Sequence, residues 1–370
     1  MTAKPRKPWP DRIKNFTPAW FSVTMGTGAL PILLSLLAYP TFTASLRPIS
    51  LALYTLNILL LLFFISLTIL RYLRHPRIFI LMLHHPFQSL FLGTFPMGLT
   101  TVVSGGMLLF PDSPRVHLTC YILWWIQLLP ALGTAIALVF YIIKAHTYTY
   151  QSANASLLLP IVTLVVASSA GTALVPSFPG APGTAVLATS FLILSVGMFQ
   201  SALIIGWYFW RLISIGLPSR ESITTSFLPI GPLCQGAFAI IRMGELRGGV
   251  AQELAVLVGW FLLANGSFWV VMAVAAVGVR RPERFNLGWW GATFPLATWA
   301  LAAGALGRAG EGEGFNVVAA GMTVVVLGVW GVCMVGTAWK GFWMGEMFHA
   351  PCIVGWVADG EGEVEEGRGK

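Results

Sequence analysis

The chain has 370 residues, of which 56% are hydrophobic and only 10% charged, whereas about a quarter of the residues in a soluble domain are charged. That balance excludes a soluble enzyme or a nucleic-acid-binding module and predicts a polytopic membrane protein. The formal charge of +8 then reads as a matter of loop topology rather than as a surface for nucleic acid.

A membrane-crossing helix needs about 20 mostly apolar residues. Ten stretches meet or approach this, at 16–37, 49–73, 89–110, 118–144, 155–175, 184–212, 224–241, 254–279, 287–306 and 315–339. The first follows a short basic segment. It is too long for the core of a signal peptide and lacks a small-residue cleavage site, so it reads as a retained span. The expected organisation is a basic N-terminus over 1–15, a ten-helix domain over 16–340, and a C-terminal segment over 341–370 that is aromatic-rich at first and acidic from Asp359. Of the 22 Lys and Arg residues, only Arg47, Arg115, Arg242, Arg247 and Arg308 fall on one side of this topology. The positive-inside rule therefore places both termini in the cytoplasm.

Pro31, Pro96, Pro160, Pro229 and Pro295 recur 64 to 69 residues apart, one in each odd-numbered stretch; among the even ones only the fourth holds a proline, Pro130. A proline inside a helix removes a backbone hydrogen bond. At membrane depth the freed groups are tolerated only against protein or a water-filled cavity. The repeat unit is thus two spans, which predicts five helical hairpins, each with a kinked and a straight member, the kinked ones innermost. The first and seventh stretches offer alternative bends at Gly26–Gly28 and at Pro232. Thr94-Phe95-Pro96-Met97 in the third stretch recurs as Thr293-Phe294-Pro295-Leu296 in the ninth.

No Asp or Glu lies in the middle of a stretch, which argues against an intramembrane proton relay. Cys120, Cys234, Cys333 and Cys352 are scattered and read as packing residues, and no metal or nucleophile constellation is visible. His84 and His85 fall in a predicted cytoplasmic loop and read as interfacial. No cofactor or metal is expected, and a membrane-embedded enzyme or receptor is the disfavoured reading from another class. Trp124, Trp125, Trp207, Trp210, Trp260, Trp289, Trp290, Trp339 and Trp343 read as interfacial anchors. The N-x-S/T sequences at Asn15, Asn154 and Asn265 fall where glycosylation is not expected.

The odd stretches are rich in small and neutral polar residues: Thr24, Gly26, Thr27 and Gly28 in the first; Thr94, Gly98, Thr100 and Thr101 in the third; Ser168, Ser169 and Thr172 in the fifth; Gln235 in the seventh; Thr293 and Thr298 in the ninth. Such residues serve ordinary helix packing. Combined with prolines they also suit a neutral passage that offers backbone and amide dipoles to anions, and no carboxylate ring of a cation filter is present. Phe95 and Phe294, beside their prolines, are either packing residues or a hydrophobic constriction.

The segments FTPAWFSVTMGTG (16–28), GTFPMGLTT (93–101), YILWW (121–125), VVASSAGT (165–172), LPIGPLCQGAF (228–238) and GWWGATFPLAT (288–298) together resemble the tellurite-resistance/dicarboxylate transporter superfamily. That superfamily includes plant slow anion channels, fungal malic acid permeases and fungal sulfite efflux pumps. The resemblance runs from about Asp11 to Gly341 and looks nearest to the sulfite efflux pumps. The malic acid permeases share the opening FT-x-x-WF but lack GTFPMGL, which tilts the expected substrate from malate toward sulfite. The resemblance implies an all-α fold of ten transmembrane helices, five hairpins with quasi-fivefold symmetry around a central pore lined by the odd helices, in a homotrimer. It implies plasma-membrane export of sulfite or bisulfite, with malate or another anion as the alternative cargo and membrane lipid as the surroundings. It also implies that Phe294 gates the pore, with Phe95 as the second candidate. Thr24, Gly26, Thr27, Gly28, Thr94, Ser168, Ser169, Thr172, Gln235 and Thr293 are the candidate anion contacts, and Pro31, Pro96, Pro160, Pro229, Pro232 and Pro295 the candidate kinks. Alignment is weaker beyond Ala309, where the chain turns rich in Gly, Ala and Val.

Overall fold

A computed structural model describes residues 8–353; the acidic tail from Asp359 lies outside the described residues. The described residues form helices and turns with no strand. The long helices are α1 (Phe21–Ser35), α2 (Pro40–Arg74), α3 (Thr94–Leu109), α4 (Pro114–Ala145), α5 (Leu159–Leu174), α6 (Ala181–Ile215), α7 (Ile230–Arg247), α8 (Gly249–Val279), α9 (Trp290–Arg308) and α10 (Glu313–Trp343). Among the described residues eight segments are long and apolar enough to cross a membrane; α1 and α9 fall outside that set. With 15 residues, α1 spans only about 22 Å at 1.5 Å per residue.

Each odd helix is preceded by a short 3₁₀ segment: Pro18–Trp20, Ser89–Gly93, Ala155–Leu158, Ile223–Phe227 and Leu287–Trp289. This changes the role of most of the prolines. Pro31 and Pro295 lie inside α1 and α9, but Pro96, Pro160 and Pro232 stand within the first three residues of their helices and Pro229 caps α7. The first four N–H groups of a helix have no intrahelical partner, so prolines there start helices instead of kinking them. Pro48 falls inside α2, which begins at Pro40, well before the predicted 49. Pro130 lies inside α4 and is followed by a π-helical turn, Gly133–Leu138.

Odd and even helices occupy different places. The segments containing α3, α5 and α7 bury 67%, 89% and 89% of their most apolar window, whereas those of the even helices bury between 22% and 33%. The even helices therefore present their apolar side chains outward. Packing among the odd helices closes on itself: α1 lies against α3, α3 against α5, α5 against α7, α7 against α9, and α9 returns to α1. Each also packs along the even helix that follows it.

A recurring contact ties the end of an even helix to the segment that leads into its own unit. Arg71 Nε donates to Lys14 O (3.1 Å), His146 Nε2 contacts Leu83 O (2.9 Å), Arg211 Nε donates to Tyr150 O (3.3 Å) and Arg280 Nη1 to Leu217 O (2.8 Å). The same kind of bond recurs in four of the five units, and each gives a main-chain carbonyl a side-chain donor. Asn154 and Asn286 cap the 3₁₀ segments that follow them, accepting from Ser156 N and Gly288 N, and Asn15 accepts from Ala350 N. The chain after α10 folds back beneath α1. Phe348 stacks on the fully buried Trp20 at 4.7 Å, and Arg12 Nη1 donates to Phe342 O.

Trp124 and Trp290, expected at the interface, are fully buried. Each indole N–H has a protein acceptor, Ala167 O for Trp124 and Thr337 Oγ1 for Trp290, so these rings join inner helices to outer ones. Trp210, Trp260, Trp339 and Trp343 remain exposed.

Candidate functional site

Within the ring of odd helices lies a cavity of about 190 Å³ whose wall comes from all five of them and from no even helix. α1 contributes Ala29, Ile32 and, just past its end, Leu36; α3 contributes Thr100, Thr101, Ser104 and Leu108; α5 contributes Val166, Ser169, Thr172 and Ala173. α7 adds Gln235, Phe238 and Arg242, and α9 adds Phe294, Ala297, Thr298, Leu301 and Arg308. The lining thus runs from the middle of the bundle toward the C-terminal ends of these helices. Phe294 lies nearest the start of its helix and is almost wholly buried.

Among the described residues no carboxylate lines the cavity, and the charged side chains on its wall are Arg242 and Arg308. Arg242 pairs with Glu245 one turn further along α7. Arg308 Nη1 donates to Leu36 O (2.7 Å), a carbonyl at the C-terminal end of α1. Both guanidiniums stand where the odd helices finish, and they offset the partial negative charge of those helix ends. The polar wall below them is neutral. Thr100, Thr101, Ser169, Thr172 and Thr298 donate to Pro96 O, Gly98 O, Val166 O, Ser169 O and Pro295 O, all at 2.6 to 2.9 Å. A hydroxyl proton parked on its own helix can be turned toward a ligand by rotation about one bond, at about 1 kcal/mol for the bond given up. The hydroxyl of Ser104 makes no such bond among the described residues.

The sequence-predicted residues divide into two groups. Ser169, Thr172, Gln235 and Phe294 come together on the cavity wall, where Gln235 Nε2 donates to Ser169 Oγ. The others are built into helix contacts. Thr24 donates to Phe21 O, Thr94 to Phe91 O (2.7 Å) with Pro18 O 3.1 Å away, and Thr293 to Trp290 O; Thr27 accepts from Trp330 Nε1. A Cβ on Gly26 would strike Thr293 and Trp290, and one on Gly28 would strike Thr101 and Asn57, so these glycines permit close approach of α1 to its neighbours. Ser168 is buried and its hydroxyl has no partner among the described residues. Phe95 does not reach the cavity; it packs edge-on against Phe21 at 5.1 Å. Arg242, Arg308 and Phe238 are cavity residues that the sequence reading does not place at the site. Their signal was present for the two arginines, which are rare cations at the far ends of odd stretches.

A family model described as voltage-dependent anion channel matches residues 15–338. The chain belongs to this family. Among its relatives, the sulfite efflux pump SSU1 of Arthroderma otae is 32% identical, covering 89% of this chain and 91% of the relative. The protein of the same name in Candida albicans is 30% identical, over 82% of this chain and 68% of the relative. The malic acid transport protein of Schizosaccharomyces pombe is 23% identical, over 79% and 70%. Membership of the voltage-dependent anion channel family accords with a membrane-embedded cavity whose fixed charges, among the described residues, are positive, and it fits transport better than catalysis.

Proposed function

We propose that this protein exports sulfite or bisulfite across the plasma membrane through a passage along the axis of the odd-helix ring. The observation that carries the reading is the cavity walled by all five odd helices, neutral along its length and charged only by Arg242 and Arg308. Such a site favours a small oxyanion over a cation. The naming of relatives at 30 to 32% identity as sulfite efflux pumps makes sulfite the cargo to test first.

In this reading the chain crosses the membrane ten times as five hairpins in quasi-fivefold arrangement. The closed cycle of odd-helix contacts and the capping bonds repeated in four of the five units support it. α1 and α9 count as crossings because each holds the same place in the ring as α3, α5 and α7. The excess of Lys and Arg on one face puts both termini in the cytoplasm, so the cavity opens outward and Phe294 closes it from below. Ser169, Thr172 and Gln235, with Thr100, Thr101 and Thr298, contact the anion. A homotrimer would shield part of the exposed apolar surface of the even helices, lipid the rest.

The test is flux into proteoliposomes holding the purified protein, with sulfite, malate, nitrate and chloride in competition. Preference for sulfite supports the assignment, and preference for malate reassigns the cargo within the family. Absence of any anion flux from folded protein overturns the transport reading.

A further inference from the structure

Three hydroxyls on the cavity wall are each approached by a side-chain amide. Asn57 Nδ2 donates to Thr101 Oγ1 (3.0 Å), Gln235 Nε2 donates to Ser169 Oγ, and the Gln127 amide lies 3.0 Å from Thr100 Oγ1. Asn57 and Gln127 belong to the outer helices α2 and α4 and are 0% and 1% exposed. Neither touches the cavity, and each interrupts a long apolar run.

The proton count orients the Gln127 amide. Thr100 has one proton, already within 2.8 Å of Pro96 O, and cannot give it to Gln127 Oε1 as well. Drawn that way, Gln127 Nε2 would keep two protons in a buried site without an acceptor. Turning the amide over lets Nε2 donate to Thr100 Oγ1 and leaves the Thr100 proton on Pro96 O. All three pairs then share one pattern: an amide N–H donates to the oxygen of a cavity hydroxyl, and that hydroxyl donates to its own helix.

We propose that Asn57 and Gln127, together with Gln235, set the polarity of this wall and so act as positioning residues for anion selectivity. This rests on the transport reading above. An amide proton held against the hydroxyl oxygen occupies a lone pair, raises the local potential and polarises the O–H bond. The hydroxyl becomes a poorer ligand for a cation and a better donor to an anion. When an anion arrives, Thr100, Thr101 and Ser169 turn their protons inward while the amides hold the oxygens in place. A neutral pore thereby discriminates by sign without a fixed charge at mid-membrane, where one would be costly.

The experiment measures the reversal potential across a potassium chloride gradient in bilayers containing the full chain, which reports the ratio of anion to cation permeability. Asn57→Leu and Gln127→Leu, which remove the donors and keep a side chain of the same number of heavy atoms or one fewer, should each lower that ratio about fivefold, the equivalent of one lost hydrogen bond. On the backgrounds Thr101→Val and Thr100→Val, respectively, the same changes should add nothing further, because the group they act through is gone. A ratio unchanged in folded single variants, or effects that simply add in the doubles, overturns the proposal. If Asn57→Leu fails to fold, the Gln127 and Thr100 arm decides alone. Wild-type protein that passes no anion sinks the transport reading, whereas wild type that passes anions beside variants that keep its selectivity sinks only this inference.

Discussion

Phe294 and Arg308 line the same cavity from opposite ends of one helix, about 21 Å apart along its axis at 1.5 Å per residue. The aromatic ring lies among the side chains of the core, and the guanidinium stands where α9 ends and reaches across to the last carbonyls of α1. One helix thus brings both a buried aromatic ring and a guanidinium to the cavity wall, with Ala297, Thr298 and Leu301 between them.

If Phe294 is the stopper, its truncation opens the path. Phe294→Ala should raise anion flux severalfold, measured as conductance or as efflux from loaded vesicles. Phe95→Ala should leave flux near wild type, since Phe95 meets Phe21 and not the cavity. It should lower thermal stability instead, by about 3 kcal/mol at most. Unaltered flux in folded Phe294→Ala removes the gating role.

Arg242 and Arg308 differ in how firmly each is engaged. Arg242 is held by Glu245, whereas Arg308 bonds a neutral carbonyl, so Arg308 offers the less compensated charge to an anion. Arg308→Gln should weaken half-saturation by anion about tenfold, the effect of roughly 1.4 kcal/mol. Glu245→Gln should act in the opposite direction by releasing Arg242 toward the cavity. Concentration dependence of flux reads both, and equal behaviour of the two variants would deny Arg242 and Arg308 a part in binding.

The proline period told which helices are innermost, because freed or awkward backbone is tolerated only inside the bundle. It did not tell that Pro96, Pro160, Pro229 and Pro232 begin helices, since a 3₁₀ lead-in has no apolar signature of its own. The twin motifs around Phe95 and Phe294 are nearly identical, yet only Phe294 faces the cavity. Which side of a fully buried helix faces the axis is unreadable from periodicity when every side is apolar or small, as in α5, where nearly all residues are buried. Asn57 and Gln127 were legible as lone amides in apolar runs, but their meaning depends on Thr100 and Thr101, contributed by a different helix.

Gly26 tests the packing of α1 against α9. An added Cβ would meet Thr293 Oγ1, which can rotate, and the Trp290 ring at 2.8 Å, which cannot, because that ring is fully buried and its N–H is bound to Thr337. Gly26→Ala should therefore cost about 1–3 kcal/mol and lower the melting temperature in detergent. Gly278→Ala, with open space around it, should cost nothing and serves as the control. Equal melting temperatures for the two would show that α1 and α9 separate readily.

His85 makes the face that carries the N-terminus sensitive to acid. Its Nδ1 accepts from Phe87 N and Gln88 N at 3.3 Å, just before the 3₁₀ segment that leads into α3. Burial is the main reason its pKa lies below the ordinary histidine value, and His146 lowers it further against an opposing contribution from the backbone. At pH 7.5 the ring is neutral in folded and unfolded chains alike. As pH falls below about 6.5, the unfolded chain takes up the proton first, so stability falls until the lower folded pKa has been passed. A proton on Nδ1 would also face two N–H groups and abolish the cap. The melting temperature should drop between pH 7.5 and 5.5, and His85→Asn, which keeps an acceptor but cannot titrate, should flatten that drop. An identical slope in the variant would assign the acid sensitivity to another group.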